Sequence, residues 1–394
     1  MVDFHFRSII RKSPSYLGYG GDFLIYIVQS GDTLFSIARQ TQVPVWKITW
    51  DNGLTDRDRL AEGQALLVVP PAESENMRPG MEISGYAYPF VEPYILEQSY
   101  IALNELLVFS YGFTFEGELI PPAQDDLWMV ESAWTNGIRP MLVLTPFSGG
   151  GFNNQLIKVI VENLEIQQKV ITSLFDTVQE SGYAGVSVDF EYILPQDRIP
   201  FAEFVGRLGD AMHEGGYRVS VAVAPKTSAG QKGLLYEGMD YRLLGENADT
   251  VFLMTYEWGY TYGPPMAVAP IKKVREVVEY AVTEIPPEKL ILGIPNYGYD
   301  WQLPYERGLT RALTIGNEEA PVIAAENGAE IQFSENSMSP WFTYTKSGMA
   351  HEVWFEDVRS IEAKLALARE YGLFGVGYWN LMRPFRANWV LLEK

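Results

Sequence analysis

The chain has 394 residues, 47% of them hydrophobic and 13% aromatic, with a formal net charge of −20 and no cysteine. The hydrophobic share excludes global disorder. The missing cysteines exclude disulfides, thiolate metal sites and a cysteine nucleophile, and the negative charge argues against a nucleic-acid partner.

The length suits two domains, or one barrel with an appendage. His5, His213 and His351 stand singly, so neither a metal centre nor a cofactor is expected. No run of about twenty apolar residues exists, so no membrane-spanning helix is expected. Residues 1–23 carry basic groups (Arg7, Arg11, Lys12) that interrupt any apolar run. They read as a poorly ordered extension, or as translation from a start placed too far upstream, and not as a secretory signal.

Residues 24–70 read as a compact β-α-α-β unit. A strand at 25–28 leads to Asp32 or Thr33 as a helix cap, with Leu34, Ile37 and Ala38 on one apolar face. Val45, Ile48 and Thr49 suggest a second helix that stops near Asp51-Asn52-Gly53, and 64–69 supplies a closing strand. Residues 71–80 are a polar, proline-containing linker.

Beyond it, strands are predicted at 83–88, 105–110, 141–145, 185–191, 218–224, 250–256, 290–295 and 375–379. Helical stretches include 154–181, 198–216, 271–283 and 358–371. The expected fold is α/β, a (β/α)8 TIM barrel over 81–394, with a doubly wound sheet as the alternative. The gap between strands 7 and 8 is too long for a plain loop and suggests a small inserted subdomain at about 301–350.

The fourth strand alternates strictly. Val186, Val188 and Phe190 share one face; Ser187, Asp189 and Glu191 share the other. Carboxylates two residues apart on a strand lie about 6.6 Å from each other. At an effective dielectric of about 20 they repel by about 2.5 kcal/mol when both are charged. One should therefore hold a proton near neutral pH, as a general acid must. The plainer alternative is an acidic strand end in solvent.

The run Val28-Gln29-Ser30-Gly31-Asp32-Thr33-Leu34-Phe35-Ser36-Ile37-Ala38 resembles the opening of a LysM module, and Leu60 to Pro70 resembles its close. The resemblance implies binding to N-acetylglucosamine-containing glycans such as peptidoglycan and chitin. The family groove maps to Gly31, Asp32, Thr33 and Leu34 on one side, with Asn52, Gly53, Leu54 and Leu60 opposite. Asp32 and Thr33 would cap the helix whether or not a sugar binds. One copy is present, so tandem avidity is not expected.

The longer domain resembles family 18 glycoside hydrolases. Their Asp-x-x-Asp-x-Asp-x-Glu signature falls on Ala184, Ser187, Asp189 and Glu191, so its first two acids are replaced. Met254-Thr255-Tyr256-Glu257 is similar to that family's Met-x-Tyr-Asp, and Trp379 matches its strand-8 tryptophan. The continuation Trp258-Gly259-Tyr260, with Gly293-Ile294-Pro295-Asn296-Tyr297-Gly298-Tyr299-Asp300-Trp301, resembles the spore cortex-lytic N-acetylglucosaminidases. Those usually carry two LysM modules.

The resemblance implies substrate-assisted hydrolysis. Glu191 would be the acid and then the base, Asp189 would hold the acetamido N–H, and Tyr256 would bind the acetamido oxygen. Trp379 would floor the sugar. Ser187 can offer Asp189 a hydroxyl but no charge, so a shifted acidic limb is expected. Glu257 reaches one methylene further than the family's Asp, and Met254 reads as pocket wall or core.

Tyr86, Asn296 and Tyr297, with Tyr88, Tyr111 and Tyr299, are sugar-contact candidates for which barrel packing is the alternative. Lys226, after the fifth strand, is a further substrate-contact candidate, with a solvated loop lysine as the plainer alternative. The expected partner is peptidoglycan or another N-acetylglucosamine glycan, with no nucleic acid and no membrane, for a monomer held in spore layers and made without a signal peptide. The alternatives are a glycan-binding protein on a decayed barrel, and a chitinase.

Overall fold

The computed structural model describes residues 16–19, 23–54, 59–70, 80–148 and 151–393. In it the apolar stretches of the longer domain form eight parallel strands, Glu82–Ala87, Glu105–Phe113, Arg139–Leu144, Gly185–Val188, Arg218–Val223, Thr250–Leu253, Leu290–Pro295 and Gly375–Trp379. Each pairs with the next, and the last returns to the first with Gly375 opposite Glu82 and Trp379 opposite Tyr86. That return pairing closes the ring, as the TIM-barrel expectation required, and an open doubly wound sheet lacks it.

Alternation along each strand separates two apolar layers. Leu107, Phe109, Met141, Val143, Ala222, Phe252 and Ile291 fill the inside of the barrel. Leu106, Val108, Leu142, Leu144, Val186, Val188, Val221 and Leu253 pack outward under the helices. Each such side chain contributes about 1.5–3 kcal/mol through its burial. At the strand starts, Glu105 receives Arg218 at 2.8 Å and Arg139 at 3.3 Å.

The predicted 154–181 helix is two helices, Asn154–Glu162 and Leu164–Ser181. Asn163 ends the first and caps the second, accepting from the N–H groups of Glu165 and Ile166. Apolar periodicity runs through this break, which is why it reads as continuous in the sequence. The insertion between strands 7 and 8 is a five-stranded antiparallel sheet, from Gly298–Gln302 to Met349–Trp354, with one helix, Glu319–Glu326.

The amino-terminal unit has helices Leu34–Thr41 and Val45–Asp51 on a sheet of Phe23–Ile27 and Ala65–Val68. A third strand, Tyr16–Tyr19, pairs antiparallel with Phe23–Ile27, so this part of the expected extension belongs to the sheet. Residues 1–15, with His5, and the linker residues 71–79 lie outside the described residues.

The unit is seated on the barrel. Ala61 joins the core of the inserted subdomain beside Ile315, Ala320, Ile331 and Phe342. Ile331 N–H donates to Glu62 O at 2.8 Å, and the Arg386 guanidinium lies 4.8 Å from the Trp50 ring centre. Gly63, at φ +80°, has Ile331 O 1.9 Å from where a Cβ would stand, so only glycine permits this approach.

Candidate active site

The fourth strand ends at Val188, three residues before the alternating pattern ends at Glu191. Asp189 N–H still donates to Leu144 O at 2.9 Å, and Phe190 is clamped between Phe113, Phe201 and Phe204 at 5.5–5.9 Å. That anchor turns Ser187, Asp189 and Glu191 toward the barrel mouth. Ser187 and Asp189 are buried. Ser187 Oγ and the Tyr86 hydroxyl are polar neighbours of one another, and Asp189 Oδ1 has no hydrogen-bond partner among the described residues. A buried polar atom of this kind calls for a ligand or water.

Burial, then the Glu191 charge, holds the Asp189 carboxyl well above the usual range. Burial, then the Glu257 charge, pushes Glu191 up to about 7. Asp189 and Glu191 repel each other, as their spacing in the sequence predicts, and Glu257 adds a further charge that acts on Glu191. The charge missing at Ser187 does not leave Asp189 acidic, because burial outweighs it. Burial and the charges of Asp189, Glu191 and Glu257 keep the proton on Tyr256, which leaves that hydroxyl a hydrogen-bond donor.

Glu257 follows Tyr256 in the left-handed region at φ +66°. Its side chain is exposed in part, and its carboxylate accepts from the Tyr297 hydroxyl and from Tyr299 at 2.9 and 3.2 Å. Tyr297, just beyond strand 7, and Tyr299, in the first strand of the insertion, are two residues apart and reach the same group. Burial raises the Glu257 carboxyl and the two tyrosine hydrogen bonds oppose that.

Trp379 ends strand 8, with ring centres of Phe109, Tyr86 and Tyr88 at 5.1, 5.4 and 6.2 Å. Asn296 N–H donates to Trp379 O at 2.8 Å. Its side-chain amide donates to Asn380 O and Arg383 O at 2.9 and 3.0 Å. Asn296 therefore fixes the strand-8 loop instead of offering its amide to a sugar. Met254 is a partly buried wall residue of the inner cluster with Tyr256. Lys226, expected in solvent, is buried and donates to Met239 O at 2.8 Å.

The model of the glycosyl hydrolases family 18 matches residues 141–383, and that of the LysM domain matches 26–69. The chain belongs to glycosyl hydrolase family 18. This family 18 enzyme is 38% identical to the cortical fragment-lytic enzyme of Bacillus subtilis (strain 168), over 94% of this chain and 97% of that one. The crystal structure of the Bacillus cereus spore cortex-lytic enzyme SleL superposes with a TM-score of 0.87 at 31% identity, covering 94% of this chain and 97% of the other. A chitinase from Chromobacterium violaceum ATCC 12472 aligns with a TM-score of 0.74 at 25% identity, over 79% and 98% of the two chains.

The LysM groove residues divide into two groups in this family 18 enzyme. Gly31, Asp32 and Leu60 border a shallow cleft whose far wall is Ala325 and Gly328 to Glu330 of the insertion. Asn52, Gly53 and Leu54 face a separate cavity on the barrel side. Thr33 caps the first helix in a reciprocal pair with Ser36, and the Leu34 side chain lies in the module core. Asp32 accepts from Tyr26 Oη at 2.7 Å and Gln29 N–H at 2.8 Å. Asn52 spends its amide on Ile48 O and Leu67 O and accepts from Leu67 N–H.

Sequence reasoning missed Phe90, 58% exposed, with its ring tilted against that of Tyr88 at 5.0 Å beside the Trp379 cluster. The alternation of Tyr86, Tyr88 and Phe90, running out of the end of strand 1, was the available signal.

Proposed function

We propose that this family 18 hydrolase cleaves the β-1,4 bond after N-acetylglucosamine in spore cortex peptidoglycan, by a retaining, substrate-assisted route. The observation that carries this reading is the pair formed by Glu191, held near neutrality, and buried Asp189 with an unpartnered oxygen.

Glu191 gives its proton to the glycosidic oxygen as the C1–O bond breaks. The acetamido carbonyl oxygen of the same sugar bonds to C1, and the positive charge of the resulting ring is shared with the N–H that Asp189 accepts. The Tyr256 hydroxyl donates to the acetamido oxygen and aligns it. Ionised Glu191 then takes a proton from water. The oxygen of that water attacks C1, opens the ring and restores the acetamide, so configuration at C1 is retained.

Trp379 forms the apolar floor for the sugar and its N-acetyl methyl. The LysM module holds the enzyme on the glycan, as a monomer in spore layers. The names of the B. subtilis and B. cereus relatives favour cortex over chitin. The test gives the purified chain cortex fragments and, in parallel, chitin oligomers of equal length. New reducing ends on N-acetylglucosamine are expected at a higher rate from cortex. Faster release from chitin would make it a chitinase, and no release at any pH would leave only glycan binding.

A further inference from the structure

Strand 6 leads through Glu257 into a loop at 258–263. Thr261 of that loop hydrogen-bonds the Tyr299 hydroxyl, which itself reaches Glu257 at 2.9 Å. Thr261 O also accepts Ala312 N–H, from the insertion, at 2.8 Å. Ala312 packs with Tyr297, Tyr299 and Trp301 in the apolar cluster that Tyr256 and Trp379 join. The residue before it, Arg311, is thereby fixed at the rim of the site on the Glu257 side.

The Arg311 guanidinium lies 5.8 Å from the ring centre of Tyr262, which is 55% exposed. That ring is held in turn, because Tyr262 O accepts the Tyr305 hydroxyl at 2.8 Å. Among the described residues no carboxylate pairs with Arg311, and its side chain is exposed. Glu306 and Arg307, in the turn just before it, carry opposite charges. Arg383, the next cation along the edge of the insertion, is already engaged, with Thr314 O at 3.2 Å and Glu319 at 3.9 Å. A guanidinium lying against an aromatic face keeps its in-plane N–H groups for a carboxylate and loses little freedom in binding one.

The chain carries a net charge of −20, and Asp189, Glu191 and Glu257 line the cleft, so an anionic glycan is repelled. An unspent cation at the rim is where an acidic substituent can be seated. Chitin strands have none. In peptidoglycan, N-acetylglucosamine alternates with a sugar whose lactyl ether ends in a carboxylate, free or extended by a peptide with carboxylates of its own. We propose that Arg311, backed by Tyr262, is a specificity residue that takes a carboxylate borne by a sugar flanking the cleavage point. This rests on the glycosidase reading above and names what on this chain separates peptidoglycan from chitin. The contact forms away from the reacting bond, so it acts through KM.

The test measures kcat/KM by reducing-end release on three tetrasaccharides. One is N-acetylglucosamine alone, one is the alternating peptidoglycan tetramer with free lactyl carboxylates, and one is that tetramer with L-Ala-D-Glu on each lactyl group. Arg311→Gln should lower the ratio of acidic to neutral substrate about fivefold, or about 1 kcal/mol, and Arg311→Lys should recover part of it. The gap between parent and Arg311→Gln should narrow as NaCl rises from about 0.05 to about 0.5 M. A drop on the free-lactyl tetramer assigns the contact to that group, and a drop on the peptide-bearing one assigns it to the peptide. A ratio unchanged on both would overturn the proposal. Calorimetry of the same tetramers on the Glu191→Gln chain separates the two readings. Hydrolysis with a ratio indifferent to Arg311 refutes the rim contact alone. No hydrolysis, with acidic tetramers bound more weakly once Arg311→Gln is added, refutes the glycosidase reading alone.

Discussion

Replacing Glu257 by Gln keeps its size and its ability to accept from Tyr297 and Tyr299, but removes its charge. Glu191 stands at about 7 against an ordinary 4.5, with burial the larger cause and Glu257 the second. Less than half of that rise therefore belongs to Glu257, at most about one pH unit or about 1.4 kcal/mol. A general acid works while protonated and fails as pH rises through its folded-state value. In Glu257→Gln the basic limb of kcat/KM should thus move lower, by up to about one pH unit. Tyr297→Phe combined with Tyr299→Phe should move it the same way by less, because those hydrogen bonds favour charged Glu257. The assay is initial-rate reducing-end release across pH on a soluble cortex fragment. A basic limb that stays in place, or moves up, would refute the assignment of Glu257 as the charge that keeps Glu191 protonated.

Glu191→Gln should lower turnover by at least about a thousandfold while calorimetry still detects glycan binding; turnover at the parent rate would remove Glu191 from the acid role. Gly63→Ala places a methyl against Ile331 O at positive φ, at a cost of about 1–3 kcal/mol. It should lower the thermal midpoint and speed proteolytic release of the LysM module, and an unchanged midpoint would argue against the seat. Lys364→Met strands buried Glu356 and should cost about 3–5 kcal/mol. Denaturant midpoints would show it, with Lys364→Met plus Glu356→Leu recovering most of the loss. Asn296→Ala frees the strand-8 loop at Asn380 and Arg383 and should raise KM by about tenfold, or about 1.4 kcal/mol, with the fold intact by circular dichroism. An unchanged KM would mean that loop is held elsewhere.

The barrel was legible because period-two apolar stretches such as Val219, Val221 and Val223 carry their own sign of strand. Strand ends were read too long at 191 and 256 for a physical reason. The chain leaves the ring into tight turns, with Tyr192 at φ +59° and Glu257 at φ +66°, and side-chain alternation does not record that exit. Asp189, Glu191 and their mutual repulsion were found from their spacing, but the further charge acting on Glu191 was not. It comes from a residue on another strand end, placed by two tyrosines about forty residues further on.

The seating of LysM was invisible for the same reason. It depends on Gly53, Ala61 and Gly63 meeting Glu318 and Ile331, contacts that no local pattern encodes. Lys226 reads as a loop lysine because nothing near it in sequence announces Met239 O as its partner.

The role of the substrate's own acetamide is tested most directly by the anomer formed first. Proton NMR during hydrolysis of a defined cortex fragment should show the β anomer of the new reducing end before mutarotation sets in. The α anomer first would mean direct attack by water, and would contradict the roles given to Glu191, Asp189 and Tyr256.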